Sequence, residues 1–197
     1  MGFSASLFWW KVVDMNENLI AYLVAYLIGA IPFGLLFGLL FGGINIKKSG
    51  SKSIGATNVL RVIKQSNPAL AKKLAILTVV FDALKGVIPI LVGKFIFELD
   101  IATLWAMGVL AVVGHCFSPY LMFEGGKGIA TGAGVLAYFL PLELMIAVVA
   151  WFITGKVLKI SSLASLIALL AMVVSSFIFH YDVPEINTHA PILIIAF

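Results

Sequence analysis

The residue types that could do chemistry in this sequence gather into two polar clusters set among long apolar runs. The first is Ser49-Gly50-Ser51-Lys52-Ser53-Ile54-Gly55-Ala56-Thr57-Asn58-Val59-Leu60-Arg61, which packs glycines, hydroxyls, an amide and cations together. Glycines let backbone N–H groups approach a ligand, Ser and Thr hydroxyls donate to phosphate oxygens, and a guanidinium offers a planar bidentate fork. The composition suits a phosphorylated small molecule. The competing reading is a flexible hydrated linker, but a linker has no reason to combine so few acids with Gly-Ala-Thr-Asn and an arginine three residues on. The second cluster runs from Gly114-His115-Cys116-Phe117-Ser118-Pro119 to Phe123-Glu124-Gly125-Gly126-Lys127-Gly128. Its Gly-Gly-Lys-Gly lacks the spacing of a Walker A loop and follows no strand pattern, so nucleotide hydrolysis is not implied. It offers amides and a lysine at a helix start, an arrangement that binds anions. The alternative is a glycine hinge with a snorkelling lysine.

Other polar residues stand inside apolar runs. Asp82 and Lys85 are spaced i,i+3, and burying either alone in lipid would cost about 3 kcal/mol, so they are expected to be partners on one helix face. A structural ion pair and direct ligand contact both remain open. His115, near the end of its span, is either a hydrogen-bonded structural group or a general base. Cys116 is the only cysteine and cannot form an intrachain disulfide, and no Cys or His cluster has metal-ligand spacing. Metal, redox and cofactor chemistry are not expected.

The elements that must position these clusters are membrane helices. Hydrophobic residues make up 62% of the chain and charged ones 11%, with a mean hydropathy of +1.12, far from the composition of soluble domains. Strong spans are predicted over 19–43, 74–97, 101–122 and 161–179. The stretch 128–154, broken by Pro141 and Glu143, reads as two helices, each short of the roughly 20 residues a crossing takes. A last apolar run, 190–197, is shorter still. The expected fold is an all-α polytopic bundle of about seven transmembrane helices, the last incomplete, forming one domain over 15–197 behind an extension at 1–14. Lys47, Lys48, Lys52, Arg61, Lys64, Lys72, Lys73, Lys127, Lys156 and Lys159 fall on one side of this topology. The loops 98–100, 141–143 and 180–189 carry acids and no Lys or Arg. The positive-inside rule then puts the N-terminus outside and both polar clusters at the cytoplasmic face.

Ser-Gly-Ser-x-Ser-x-Gly-Ala-Thr-Asn-x-x-Arg, Asp82-x-x-Lys85-Gly86, Gly114-His115 and Gly-Gly-Lys-Gly, in this order on a multi-span chain, resemble the bacterial acyl-phosphate:glycerol-3-phosphate acyltransferase family, PlsY. The match covers most of the chain from Met15 onward. The resemblance implies transfer of a fatty acyl group from acyl phosphate to the 1-hydroxyl of glycerol 3-phosphate, giving 1-acylglycerol 3-phosphate in phospholipid synthesis. It implies a monomer in the bacterial inner membrane, in contact with membrane lipids, with no cofactor and no nucleic-acid partner. Carried over, Ser51 is the active-site serine, and Arg61 and Lys127 hold substrate phosphate. Thr57, Asn58, Gly125, Gly126 and Gly128 shape the same pocket, with Asp82, Lys85 and His115 in support. Ser53 stands where the family usually has Asn, and Glu124 where a basic residue often precedes Gly-Gly-Lys-Gly. The family's C-terminal His-x-x-Asn-Ile-x-Arg motif, which helps to bind glycerol 3-phosphate, does not occur before Phe197.

Two rival functions make different demands. An acyl-CoA-dependent acyltransferase uses a His and an Asp separated by four residues. Only His180 and Glu185 approach that spacing, and they fall on the opposite side from the basic loops. A transporter or channel for an organic anion would use Lys127, Arg61 and the short helices of 128–154 as a midplane site, but needs polar groups at several depths and on both faces.

Overall fold

The computed structural model describes residues 18–179; the extension 1–14, the polar stretch 180–189 with His180, Glu185 and His189, and the run 190–197 lie outside the described residues. Every regular element within them is helical. In chain order these are α1 (18–29), α2 (Phe33–Leu40), α3 (Ala56–Ile63), α4 (Pro68–Phe95), α5 (Ile101–Cys116), α6 (Ile129–Phe139), α7 (Pro141–Leu158) and α8 (Ser161–Phe179), with 3₁₀ turns at Ile46–Lys48 and Pro119–Leu121.

Among the described residues, five segments are long and apolar enough to cross a membrane: Asn18–Leu40, Pro68–Phe95, Ile101–Leu121, Pro141–Leu158 and Ser162–Phe179. With the shorter α6 they make an alternating bundle, and the seventh expected helix falls in the run outside the described residues. The first span is not the continuous helix expected over 19–43. Proline has no N–H to donate, so Pro32 separates α1 from α2. Carbonyls freed at the break are taken up by side chains from elsewhere: Ser118 Oγ donates to Ala30 O at 2.7 Å, and Lys85 Nζ to Ile31 O at 2.7 Å. In hydrocarbon such groups must be satisfied internally.

The expectation of two short helices over 128–154 needs correcting for the second. Pro141 occupies the first turn of α7, where its missing N–H costs nothing, and the helix continues through Thr154 to Leu158, where Lys159 adopts a left-handed conformation. Its 18 residues make α7 a full span. Only α6 is short; its 11 residues cover about 17 Å. No loop separates the two helices, and Glu143, assigned above to a polar turn, is buried in the first turn of α7.

The segment 44–73 is likewise more ordered than a loop. It contains α3, and α4 starts inside it, capped by Asn67 Oδ1 accepting from Leu70 N at 3.0 Å with Pro68 next. The 28 residues of α4 span about 42 Å, longer than the hydrocarbon core, which leaves room for Lys72 and Lys73 beyond it. Val59, Val62 and Ile63 of α3 bury one face against Ile46, Ala71 and Leu74. The opposite face is free to carry polar groups.

The main core joins α4, α5 and α6 through Ile90, Leu104, Trp105, Met107, Val135 and Leu136, and Trp105 stacks on Phe139 with ring centroids 3.8 Å apart. The α4–α6 crossing is close because Gly134 lies on the Ala83 carbonyl and Gly86 on that of Thr131. Small residues at such crossings let membrane helices pack backbone to backbone. The exposed stripe Ile76, Val80, Leu84 and Ile88 of α4 is suited to lipid. The basic residues counted above gather at one end of this bundle by its connectivity, while Lys94, exposed in the last turn of α4, is a basic residue of the other end.

Candidate active site

The loop before α3 is organised by one side chain. Asn58, 1% exposed, donates through Nδ2 to Ile46 O at 2.9 Å, Ser49 O at 3.2 Å and Ser53 O at 2.8 Å, and its Oδ1 accepts from Ser51 N at 2.8 Å. An amide can do this because it carries donors and an acceptor on one short stem. Gly50 and Lys52 both have positive φ, +62° and +59°, so the chain reverses on either side of Ser51. Gly50 also lies so close to Asn58 Oδ1 that a Cβ there would overlap it. Asn58, expected to help shape a ligand pocket, is thus the internal tie of the loop, and the exposed side chain it sets in place is Ser51. Thr57 and Arg61, spaced i,i+4, sit on the exposed side of α3. Arg61 has no ion-pair partner among the described residues.

The second cluster is the α5–α6 connection. Phe123 N donates to Ser118 O at 2.8 Å and Glu124 N to Leu121 O at 3.1 Å; Gly125 N then donates to Cys116 O and Gly126 N to His115 O, both at 3.0 Å. The loop is lashed to the end of α5. Met122 and Phe123 both adopt left-handed conformations, with φ of +53° and +64°, and expose their side chains beside the glycines. Lys127 is exposed and without an ion-pair partner among the described residues. Gly128, φ +74°, enters α6, whose first turn has no side-chain cap, so its leading N–H groups are not taken by a capping side chain. An exposed lysine beside an uncapped helix start has the charge and the donors that suit an anion.

A contact that spacing did not suggest joins the two clusters. Lys47 Nζ lies 3.0 Å from Glu124 Oε2 and donates to Glu124 O at 3.3 Å. The sequence marked Glu124 only as a departure from the family pattern and Lys47 only as an interfacial charge. No local pattern pairs residues so far apart. Tyr26, also unremarked above, donates its hydroxyl to Phe117 O at 2.8 Å, fixing α1 against the end of α5.

Beneath the glycine loop is a buried polar group. Lys85 Nζ is 2.7 Å from Asp82 Oδ1, so the two are ion-paired, and His115 Nδ1 stands 3.8 Å from the same oxygen. Each is 3% exposed. Lys85 also holds the Ile31 carbonyl at the α1–α2 break. These side chains connect the helices that carry the two loops. A cavity of about 450 Å³ lies behind the first loop, lined by Ile44, Ser49, Gly50, Val62, Gln65 and Ser66. Ser51, Arg61 and Lys127 do not line it, so the exposed cations and glycines, not this cavity, mark the candidate site.

A sequence model described as glycerol-3-phosphate acyltransferase matches residues 19–197. Proteins of that name are similar along nearly the whole chain. The one from Campylobacter lari is 70% identical over 181 residues, covering 92% of this chain and 89% of its own, and that from Campylobacter concisus is 65% identical with the same coverage. The fold matches crystal structures of PlsY (YgiH), an integral membrane glycerol 3-phosphate acyltransferase. For its glycerol 3-phosphate form the identity is 30% and the TM-score 0.78, covering 91% of this chain and 84% of that one. For its lysophosphatidic acid form the TM-score is 0.72 with the same identity and coverage.

Proposed function

Since the chain belongs to the glycerol-3-phosphate acyltransferase family, we propose that it acylates glycerol 3-phosphate at the 1-hydroxyl with acyl phosphate as donor. The hydroxyl oxygen attacks the acyl carbonyl carbon and forms the ester bond. The carbonyl C–O bond to phosphate breaks with its electron pair going to the leaving phosphate. The hydroxyl proton ends on that phosphate, so the products are 1-acylglycerol 3-phosphate and hydrogen phosphate. An acyl phosphate is an activated mixed anhydride, and positioning with charge stabilisation suffices to drive its transfer. Both substrates carry phosphate and the donor carries a lipid tail, which calls for cations and exposed amides where loops meet membrane helices.

The observation that carries this reading is the pairing of two polar loops by Lys47 and Glu124, with exposed Ser51 and Arg61 on one side and Lys127 at the uncapped start of α6 on the other. In this assignment Arg61 and Lys127 hold phosphate, Ser51 touches the reacting groups, and Thr57 with Gly125, Gly126 and Gly128 shapes the pocket. Asn58 acts by holding the Ser51 backbone. The basic end faces the cytoplasm of a bacterial inner membrane, and the enzyme works as a monomer. An anion carrier would need matched binding groups at both ends, whereas Arg61 and Lys127 both sit at one, with Lys94 a basic residue of the other.

The test is acylation of glycerol 3-phosphate by the purified protein in lipid, offered palmitoyl phosphate and palmitoyl-CoA in parallel. Turnover with palmitoyl phosphate alone is expected. Turnover with the thioester alone would overturn the donor assignment, and a Ser51→Ala variant as fast as the wild type would move the active site elsewhere.

A further inference from the structure

The glycine at position 126 faces a side chain of its own protein. A Cβ placed there would collide with His115 Nε2, and its next neighbours are His115 Cδ2 and Cε1, each at 3.1 Å. The three nearest atoms all belong to the imidazole. Gly125 differs: a Cβ there would strike the His115 carbonyl oxygen and lie 2.6 Å from that of Cys116, backbone that no side-chain change can remove. On its other side the same imidazole packs against Asp82, with Nδ1 3.8 Å from Asp82 Oδ1 and no hydrogen bond between them, and Asp82 is paired with Lys85, which holds the α1–α2 break. His115 therefore fills the space between a rigid buried ion pair and the floor of the glycine loop.

Accordingly, we propose that His115 is a positioning residue for acyl transfer: its imidazole, wedged between Asp82 and the Gly126 backbone, sets the height of the Gly125–Gly128 loop and hence of Lys127 relative to Ser51 and Arg61. This inference rests on the reading of that loop as the substrate-phosphate site. It makes Gly126 a glycine because of the histidine behind it, and Gly125 a glycine because of the α5 carbonyls it is tied to. Misplacing a binding group by about 1 Å costs up to about a hundredfold in rate or binding, so a shift smaller than any change of fold is enough to be felt.

The experiment is a pair of double-mutant cycles on the enzyme in lipid nanodiscs. His115→Ala is combined with Gly126→Ala in one cycle and with Gly125→Ala in the other, and KM, kcat and thermal unfolding are measured for each folded variant. Gly126→Ala alone is expected to raise KM for glycerol 3-phosphate about tenfold or more, and His115→Ala to raise it severalfold with a smaller change in kcat, because the loop is displaced while the reacting groups remain. In the double variant the new methyl occupies space vacated by the imidazole, so KM falls back to the level of His115→Ala. Gly125→Ala is not rescued by the same truncation. A Gly126→Ala defect that persists without the imidazole would overturn the proposal, as would a His115→Ala variant whose KM is unchanged while only its unfolding temperature falls. A wild type that turned over neither donor would sink the functional reading instead. The unfolding temperatures would then still decide the coupling, which fails if Gly126→Ala costs the same with and without the imidazole.

Discussion

The loop around Ser51 is tied from within, by the carboxamide of Asn58 reaching the backbone at Ile46, Ser49, Ser51 and Ser53. The loop around Lys127 is held from beneath, by the His115 and Cys116 carbonyls and by the lack of side chains at Gly125 and Gly126. Both present an exposed cation at the same end of the bundle, yet they should fail under different substitutions. The first depends on one group whose donors and acceptor must all be present. The second depends on nothing being added at Gly125 and Gly126 and on the imidazole packed beneath them. Identical local chemistry, a glycine near a cation, thus conceals different supports.

The harshest test of the first support is Asn58→Asp, which keeps the shape and removes the donors. The carboxylate would face the carbonyls of Ile46, Ser49 and Ser53 at the distances the amide N–H groups now occupy. Leaving a buried charge without compensation costs about 3 to 5 kcal/mol. Thermal unfolding in detergent should show that loss, with acylation falling below detection. A stable, active Asn58→Asp enzyme would mean the loop is held from outside after all, and the contrast between the loops would vanish. Lys127→Ala should leave unfolding unchanged but lower kcat/KM by about a hundredfold, the scale of losing one charge-stabilising group. Arg61→Lys, which keeps charge and loses the fork, should cost roughly tenfold. Were Lys127→Ala also to unfold the protein, the lysine would belong to the support rather than to the site.

What could be read from the residues alone follows the physics that is local. Hydropathy located the spans, and Pro141 with Glu143 marked the division of 128–154 into α6 and α7. The ion pair of Asp82 and Lys85 was legible because burying either alone is costly and their spacing shares a face. The Ile31–Pro32 break was not, because apolar residues continue across it and what makes it tolerable comes from Lys85 and Ser118 on distant segments. α3 was hidden because its apolar face is only Val59, Val62 and Ile63, too little to stand out beside membrane spans. Asn58 was visible as a site residue but not as a tie, since its partners are main-chain groups that carry no residue identity.

The contact between the loops gives a smaller and more specific effect. Glu124 is largely exposed, with a side-chain accessibility of 79%, while that of Lys47 is 24%, so the bridge is worth no more than about 1 kcal/mol in stability. Lys47→Glu or Glu124→Lys alone should raise KM for glycerol 3-phosphate severalfold, and the charge-swapped double variant should recover most of it at low salt. Recovery should fade as salt is added, because exposed pairs are screened. If the singles were silent, the loops would be aligned by their separate supports and the bridge would be incidental.

The smallest effect is expected at the far end of the bundle, where Asp100 caps α5 by accepting from Ala102 N and Thr103 N and from the Thr103 hydroxyl. These bonds, that of the Thr103 hydroxyl foremost, hold its carboxyl below the ordinary value of 3.8. A carboxyl whose value is lower folded than unfolded contributes stability above the unfolded value and loses it as pH falls through the folded one. Exposure to solvent keeps the contribution below about 1 kcal/mol. Asp100→Asn preserves the cap and abolishes the titration, so unfolding temperatures of variant and wild type should respond differently only as pH falls below about 4, the wild type losing more. Turnover at neutral pH should be the same in both, since α4 and α5 run the length of the bundle between Asp100 and the loops. A marked loss of turnover in Asp100→Asn would show that the two ends are mechanically coupled through α5, and that the support under Gly125 and Gly126 extends well beyond His115 and Cys116.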